Sequence, residues 1–422
     1  MGLAGLIIAL LAIAFLLRIS FIFYIIYVVA GLYLLSLILT PRILRQLRIS
    51  RLYNDHAFLG ETVTVKIIWE NVSRLPLPWL EFSESIPPSL RLQQSMRQAL
   101  SLQGHQQTSY EYVVQAGRRG YYRLGPLQLT TGDLFGFTPR KTGSLAANYL
   151  TVYPRIVPLT RLGLPSRLPF GTLASQQRLF EDPARPGGVR AYRSGDSPRR
   201  INWKVSAHTG GLLVKTFEPA ISLETVVLLN LHQEDYQRRD RSYYTELTIT
   251  VAASLAAHLV DCRQSVGLIT NGIDPIQSNE EADALPFDDE SGRLLLGEAE
   301  QTKLILPSAL PARNGRVHLM KILERLARIE AAKTIPLDQW ITSATLNLSW
   351  GVTIFVITAR GEEKTCHAMH RLVKAGYNPF LFVVEPDYNF SQVRERARRL
   401  GFRAFNVTTV DDLEQWKGQP IR

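Results

Sequence analysis

The chain has 422 residues, of which 46% are hydrophobic and 20% are charged. This composition is too apolar for a mostly disordered protein, and the length suits about two or three domains. Two cysteines form neither a disulfide framework nor a four-cysteine zinc site, and the net charge of +11 favours an anionic partner, either a membrane surface or nucleic acid.

The N-terminal segment is apolar enough to cross a membrane twice. Residues 1–17 carry no charge, Arg18 interrupts, and a second uncharged run extends from Phe21 to Leu39. A hydrocarbon layer about 30 Å thick is crossed by about 20 helical residues, whose backbone amides pair within the helix. The sequence therefore predicts a transmembrane helical hairpin over residues 1–40. One alternative is a single span with a re-entrant first segment. A cleaved signal peptide is disfavoured, because its basic N-terminal region and its cleavage site of small residues are missing.

The basic residues next to this segment predict its orientation. No basic residue precedes Arg18, whereas four arginines and no acidic residue lie between the second apolar run and Asp55: Arg42, Arg45, Arg48 and Arg51. By the positive-inside rule, the chain from residue 41 onward lies in the cytoplasm. We therefore expect a multi-pass protein of the cell membrane, in contact with the lipid bilayer, whose folded domains are cytoplasmic and whose cysteines are reduced.

Short runs with alternating hydrophobicity dominate residues 41–160. The clearest runs are Thr62 to Trp69, Tyr110 to Val114, Tyr121 to Leu129 and Tyr149 to Tyr153. A period of two residues indicates strands with one buried face, and the stretches rich in Pro and Gly between them are typical of turns. This pattern predicts a β-sandwich domain.

Fully apolar strands alternate with helical stretches over residues 222–422, as in a doubly wound parallel sheet. The predicted strands are Glu224–Leu231, Ser265–Thr270, Val352–Thr358, Pro379–Val384 and Phe402–Val407. The predicted helices are Tyr243–Cys262, Val317–Ala332, Glu362–Ala375 and Ser391–Leu400. An acidic insertion over residues 273–300 has two interpretations, a solvated loop or a docking surface for a basic partner.

Residues 161–221 form a connector between these two domains, with a charge-rich segment around Trp203. Asp196 or the serine after it can cap a short helix that begins at Pro198 and ends before Gly210. Two interpretations remain open. The segment is either a basic platform for a partner or a phosphate, or a clasp in which Trp203 is buried and arginines pair with carboxylates such as Asp196.

A long linear string in this connector is specific enough to indicate a family. Its residues are Val189, Arg190, Ala191, Tyr192, Arg193, Ser194, Gly195, Asp196, Arg199, Arg200, Ile201, Asn202, Trp203, Lys204, Ser206 and Ala207. Shorter strings at 118–126, 133–136 and 152–155 support it. The chain thereby resembles the bacterial membrane-associated proteins called "domain of unknown function 58". The most informative motif residues are Arg190, Tyr192, Gly195, Asp196, Arg199, Arg200, Asn202, Trp203 and Lys204.

The resemblance implies a fold and a modest function. The implied fold class is α/β plus β: two N-terminal transmembrane helices, a β-sandwich domain, and a doubly wound parallel sheet domain like von Willebrand factor A. Members of this family are thought to work beside MoxR-type AAA+ ATPases as adaptors. The same role is therefore expected here by analogy.

The metal site of a von Willebrand A-type domain begins after the first parallel strand, where Asp-x-Ser-x-Ser offers a carboxylate and hydroxyls to Mg²⁺. In this chain Asn230, His232 and Glu234 stand at those three positions. The turn after a later strand, which normally supplies another carboxylate, holds Arg360. Because the acidic ligands of the A-type site are replaced and Arg360 adds a positive charge, we expect that no metal is bound. The alternative is that Glu234 and Asp235 rebuild a site with Asn230.

Other chemistry has little support in the sequence. There is no Gly-x-x-x-x-Gly-Lys-Ser/Thr loop, no Gly-x-Gly-x-x-Gly turn after a strand and no Gly-x-Ser-x-Gly elbow. Cys366, His367 and His370 give at most three zinc ligands. The basic residues lack an aromatic stacking platform for nucleic acid. We therefore expect no cofactor and no nucleic acid partner.

These patterns favour a membrane-anchored, non-enzymatic adaptor or scaffold. Its A-like domain would bind a protein partner, such as a MoxR-type AAA+ ATPase, at the carboxyl ends of its strands, where open α/β sheets usually bind ligands. The residues expected there are Asn230, His232, Glu234 and Arg360. One alternative is a metal-dependent hydrolase or other enzyme that uses the acids of the connector or Glu234 and Asp235. Another is an envelope scaffold in which the β-sandwich is the binder.

Overall fold

A computed structural model describes two compact units of the chain. The described residues are 5, 21, 23, 24, 26–28, 31, 41–92, 97–131, 140–159, 181–193, 196–219, 224–278 and 306–415. The first unit, here called the β unit, contains the described residues up to Pro154. The second, the α/β unit, contains those from Arg155 onward.

The prediction of two transmembrane helices is corrected by the structure. Within the described residues, no helix is both long enough and apolar enough to cross a bilayer. Of the two predicted spans, only residues 5, 21, 23, 24, 26–28 and 31 are described, all of them helical, and the rest of residues 1–40 lies outside the described residues. The fold class of the described chain is a mixed α/β fold of sheets and helices.

The β unit consists of three small sheets. Its strands are β1 (Leu47–Leu52), β2 (His56–Phe58), β3 (Thr62–Asn71), β4 (Leu77–Glu84), β5 (Leu90–Leu92), β6 (Arg97–Leu102), β7 (Gln107–Ala116), β8 (Gly120–Leu124), β9 (Leu127–Thr131), β10 (Arg140–Leu145) and β11 (Asn148–Tyr153). The strand orders are β1-β3-β7-β5, β10-β9-β4-β6 and β2-β11-β8. Alternate residues of β3 are buried, as its period of two residues requires. One of them, Trp69, packs against Phe82 of β4 with ring centroids 5.0 Å apart.

A buried polar cluster joins the three sheets of the β unit. Arg51 of β1 forms an ion pair with Glu84 of β4, and their side chains are 1% and 0% exposed. Arg51 also donates to the side-chain oxygen of Asn148 on β11. The Tyr112 hydroxyl on β7 donates to Glu84 Oε2 over 2.7 Å. Burial raises the pKa of Glu84, while hydrogen bonds from Tyr112 and Arg51 act in the opposite direction.

Removing the Tyr112 hydroxyl takes one hydrogen bond from the buried Glu84 carboxylate. We expect Tyr112→Phe to lower the free energy of unfolding of the β unit by about 1.5–3 kcal/mol, the range for hydrogen bonds to charged groups. Hydrogen exchange of the β3 and β7 amides measures the change. A double-mutant cycle with Glu84→Gln isolates the coupling between the two side chains. Equal effects of Tyr112→Phe in both backgrounds would contradict the interaction.

The α/β unit contains a two-stranded ribbon and a six-stranded sheet. Its elements are β12 (Glu181–Ala191), α1 (Trp203–Thr209), β13 (Leu213–Pro219), β14 (Glu224–Leu229), α2 (Arg241–Asp261), β15 (Ser265–Thr270), α3 (Pro275–Ser278), β16 (Leu310–Arg313), α4 (Arg316–Arg328), α5 (Leu337–Thr345), β17 (Thr353–Thr358), α6 (Glu363–Lys374), β18 (Asn378–Val383), α7 (Phe390–Leu400), β19 (Arg403–Asn406) and α8 (Val410–Gln415). Strands β12 and β13 pair to form the ribbon, and the larger sheet has the order β16-β15-β14-β17-β18-β19.

The larger sheet is parallel except for its edge strand β16. All six residues of β17 are buried, which explains the uninterrupted apolar run at residues 354–357 between its two terminal threonines. Strands β14 and β17 are neighbours although they are far apart in sequence, so the strand order reverses between them. A crevice outside the carboxyl ends of the strands is expected at such a reversal, and it is the usual ligand position in open α/β sheets.

Helix α2 lies in the interior of this unit. It is buried along nearly all of its length, from Thr245 to Val260. The hydroxyl of Ser254 near its middle accepts a hydrogen bond from the Val157 backbone N–H over 3.0 Å and donates to the Thr250 carbonyl. A helix that is apolar on all sides is stable in water only when it is covered on all sides.

Candidate functional site

The side chain of Asn230 occupies the centre of the carboxyl edge of the parallel sheet. Asn230 directly follows β14 and is 0% exposed. Its Nδ2 group donates to Asp235 Oδ2 over 2.7 Å and to Thr358 Oγ1 over 2.9 Å. Its Oδ1 atom accepts from the His232 backbone N–H over 3.2 Å and from Asn271 Nδ2 over 2.7 Å. Both amide hydrogens and both oxygen lone pairs are therefore used.

Neighbouring side chains extend this network. Asn271, which follows β15, accepts from the Leu231 backbone N–H over 2.6 Å and donates to the Ile335 carbonyl over 2.9 Å. The buried Tyr236 hydroxyl donates to the Asn230 carbonyl over 2.6 Å. The network thus connects the ends of β14, β15 and β17, and we call Asn230, Asp235, Asn271 and Thr358 the amide cluster.

His232 lies beneath the surface, whereas Glu234 lies on it. His232 is 2% exposed, and its Nδ1 atom accepts from the Thr334 backbone N–H over 3.1 Å. The His232 ring is therefore held in one orientation, with Nε2 at 3.8 Å from Glu234 Oε2. Glu234 also pairs with Lys333 at 2.8 Å, and this hydrogen bond is the main reason that its pKa is lowered.

Arg360 lies at the same edge and is neutralised by a buried carboxylate. Its Nε atom donates to Glu385 Oε2 over 2.6 Å, and a weaker contact of 3.6 Å joins it to Glu362. Glu385 is 1% exposed, and its other oxygen accepts from the Gln237 backbone N–H over 2.7 Å. The side chain of Arg360 remains 35% exposed. One face of the guanidinium is thus available to a partner.

These donors and acceptors do not suit a divalent cation. The Asn230 oxygen has no lone pair left, and the nearest carboxylate, Asp235, already accepts from the Asn230 amide. A hard cation needs several oxygen ligands with negative charge among them. Within the described residues, no group of three or more His, Cys, Asp or Glu side chains is placed to hold a metal ion.

Substitution of Asn230 by aspartate tests this interpretation of the amide cluster. Asn230→Asp removes two N–H donors and places a carboxylate beside Asp235, so we expect a loss of about 3 kcal/mol or more in the free energy of unfolding. Asn389→Asp makes the same chemical change at an exposed position and serves as the control. Thermal unfolding with and without millimolar MgCl₂ measures both effects. A rise in the melting temperature of the unsubstituted protein with Mg²⁺ would contradict the assignment.

The connector contains a carboxylate clasp and an exposed tryptophan. Arg190 at the end of β12 binds Asp196 through two hydrogen bonds of 2.7 and 2.6 Å, and the Arg193 backbone N–H donates to the same carboxylate over 2.8 Å. The hydrogen bonds from Arg190 are the main reason that the pKa of Asp196 falls to about 2. Trp203 is 66% exposed, so the clasp interpretation is wrong about the burial of this side chain and right about the pairing of Arg190 with Asp196.

The remaining motif residues are distributed around this clasp. Asn202 caps α1 by accepting from the Val205 backbone N–H over 3.4 Å, and Tyr192, Arg199 and Lys204 are exposed. The backbone of Arg200 lies in a 3₁₀ turn over Pro198–Arg200. Gly195 lies outside the described residues.

The low pKa of Asp196 gives a testable pH dependence. A depressed pKa means that the clasp contributes stability above the ordinary value of 3.8 and loses it as the pH falls through about 2. We expect the Asp196 carboxyl ¹³C resonance to titrate with a midpoint of about 2. In Arg190→Gln the midpoint should move towards 3.8, whereas Arg199→Gln should leave it low. An unchanged midpoint in Arg190→Gln would show that the ion pair is absent in solution.

A family model agrees with the sequence resemblance. The model described as "Protein of unknown function DUF58" matches residues 188–280, which contain the clasp, the exposed tryptophan and the amide cluster up to Asn271. The DUF58 match thus falls on the segment that contains the connector motif. No curated protein matches the chain significantly.

Solved structures give weak similarities. One is alpha-2-macroglobulin of E. coli, with 15% identity over 37% of this chain and 9% of that chain and a TM-score of 0.22. Another is a beta-glucosidase from Listeria innocua, with 9% identity over 25% and 16% of the two chains and a TM-score of 0.16. A GH20 exo beta-N-acetylglucosaminidase from Vibrio harveyi shows 10% identity over 86% and 75%, with a TM-score of 0.17. Scores this low carry no argument about fold or function.

Sequence patterns identified only part of the site. Asn230, His232, Glu234 and Arg360 do meet at one edge of the sheet, but the first two are buried. Asn271, Thr358 and Glu385 were not recognised as partners. Asn271 directly follows β15, Thr358 ends β17 and Glu385 is the second residue after β18, and this position at the carboxyl edge was the one available signal.

Proposed function

We propose that this DUF58 protein is a non-enzymatic adaptor or scaffold that binds a protein partner through the carboxyl edge of the parallel sheet in its α/β unit. The observation that carries the proposal is the amide cluster, in which Asn230 makes all four of its hydrogen bonds within the protein. Such a cluster uses the polar groups of Asn230 within the protein and holds the surrounding loops in fixed positions.

The exposed rim of this edge has the composition of a binding surface. Tyr388, in the loop after β18, is 104% exposed, and Ile335 is 44% exposed. Charged groups accompany them: Glu234 paired with Lys333, and the exposed face of Arg360. Tyrosine and arginine are frequent energetic centres of protein interfaces, particularly where the surrounding loops are rigid before binding.

The competing hydrolase has weaker support, because its candidate acids are engaged. Asp196 is clasped by Arg190, Glu234 is paired with Lys333, and Asp235 accepts from the Asn230 amide. A general base or a metal ligand needs its carboxylate directed at substrate or cation. These three carboxylates are directed instead at cations and an amide of the same chain.

The family resemblance suggests the partner, a MoxR-type AAA+ ATPase. This assignment rests on analogy and on the suitability of the rim for protein binding. Contact with the lipid bilayer and a position at the cell membrane, with the folded units in the cytoplasm, stay predictions from the sequence.

Variants of the rim test the proposal. We expect Tyr388→Ala combined with Lys333→Glu to weaken binding of the MoxR-type ATPase from the same organism by about tenfold or more, as loss of a central tyrosine and a charge reversal typically do. Calorimetry with the purified full chain measures the dissociation constant. Leu346→Ala removes a side chain that is 73% exposed just before β17, at the opposite end of the sheet, and is the matched control. Unchanged binding in the rim variant would reject this surface.

A further inference from the structure

The connector presents apolar side chains to solvent at one end of its ribbon. Trp203 is 66% exposed, Leu212 is 49% exposed and Tyr192 is 37% exposed. Large apolar side chains that occur singly on a surface need no explanation, whereas a contiguous group of them marks an interaction site.

Backbone hydrogen bonds place them together. The Tyr192 N–H donates to the Leu212 carbonyl over 2.9 Å, which makes them partners at the end of the ribbon. The Asn202 N–H donates to the Leu213 carbonyl over 2.8 Å, so Trp203 begins α1 beside the same strand. Ser206 is the buried residue of α1, and its hydroxyl accepts from the Leu213 N–H over 2.9 Å. Ser206 thus marks the side of α1 that faces the ribbon, while Trp203, at the first position of the helix, keeps 66% of its surface exposed.

Cationic side chains lie close to this group in the sequence. Arg193, Arg199 and Lys204 are exposed, and none of them forms an ion pair with a carboxylate among the described residues. The nearby carboxylate of Asp196 is already neutralised by Arg190. We call Tyr192, Arg193, Arg199, Trp203, Lys204 and Leu212 the connector surface. It combines aromatic side chains with unneutralised positive charge.

This composition suits carboxylates on a protein better than a lipid headgroup layer. Binding in a membrane interface requires an apolar face that extends over several helical turns. Helix α1 has seven residues, and its exposed apolar side chains are limited to Trp203 and Ala207. Tryptophan, tyrosine and arginine together are instead the residues enriched at the centres of protein interfaces, and arginine binds carboxylates through two parallel hydrogen bonds.

We propose that the connector surface binds an acidic, carboxylate-rich segment of a partner protein. Trp203 and Leu212 would cover the apolar atoms of that segment, while Arg193, Arg199 and Lys204 would pair with its carboxylates. This inference goes beyond the adaptor role assigned to the sheet edge and does not depend on it, because it concerns different residues and a different test.

The test uses the purified full chain and a fluorescently labelled polyglutamate peptide, with binding followed by anisotropy at low and at physiological salt. We expect saturable binding that weakens with salt. The dissociation constant should rise at least about fivefold in Trp203→Ala and in Arg193→Ala/Arg199→Ala. Arg316→Ala/Arg398→Ala removes two exposed arginines elsewhere in the α/β unit and is the matched control. Trp203→Phe keeps an aromatic ring and should retain most of the affinity.

Several outcomes would overturn the proposal. Equal weakening in the control pair would show that binding reflects net charge alone. Failure of the peptide to bind at low salt would reject the surface. Flotation with vesicles of phosphatidylcholine and phosphatidylserine that depends on Trp203, without peptide binding, would assign the surface to lipid. Self-association that is lost in Trp203→Ala would assign it to a second copy of the chain. Circular dichroism confirms that each variant is folded.

Discussion

The structure of the α/β unit at its proposed binding edge depends on one neutral amide. Asn230 stands where three parallel strands end, and a side chain with two donors and two acceptors satisfies groups from all three. An aspartate at this position would offer acceptors only, and its charge would need a cation beside it. The amide therefore removes both the requirement for a cation and the means of holding one. The rim above it can then vary in shape and charge without altering the sheet below.

A second constraint acts on the charge at this edge. Arg360 follows β17, and the buried Glu385 follows β18, so two adjacent strands contribute the two halves of one ion pair. A buried carboxylate without a partner is costly, and an arginine is the side chain best suited to satisfy it. Arg360 is thus held by Glu385 and remains partly exposed, so it would offer a rigid contact to the proposed partner.

The larger elements of this unit were predictable because their patterns are strong. The uninterrupted apolar run of β17 and the periodic helix α6 were placed within about one residue, since burial on both faces and a single apolar stripe leave clear signatures. Strand β16 and helix α5 were missed: Leu310–Arg313 is too short for a pattern, and Leu337–Thr345 contains β-branched residues that obscure a helix. The pairing of Asn230 with Asn271 and of Arg360 with Glu385 joins residues that are distant in sequence, and no local pattern encodes it. The clasp interpretation, in which Trp203 is buried, differs from the structure, because the α-helix starts at residue 203 instead of 198 and Ser206 is its buried residue.

The burial of helix α2 limits how a conformational change could pass through the α/β unit. It is enclosed over most of its 21 residues, and its Ser254 is tied to the segment at Val157. Sliding or rotating such a helix would break contacts all around it at once, because close-packed interiors resist small continuous deformation. Helix α2 is therefore expected to stay in place when the rest of the unit rearranges. A conformational change caused by partner binding would instead involve the loops and strand ends, because their rearrangement breaks fewer contacts.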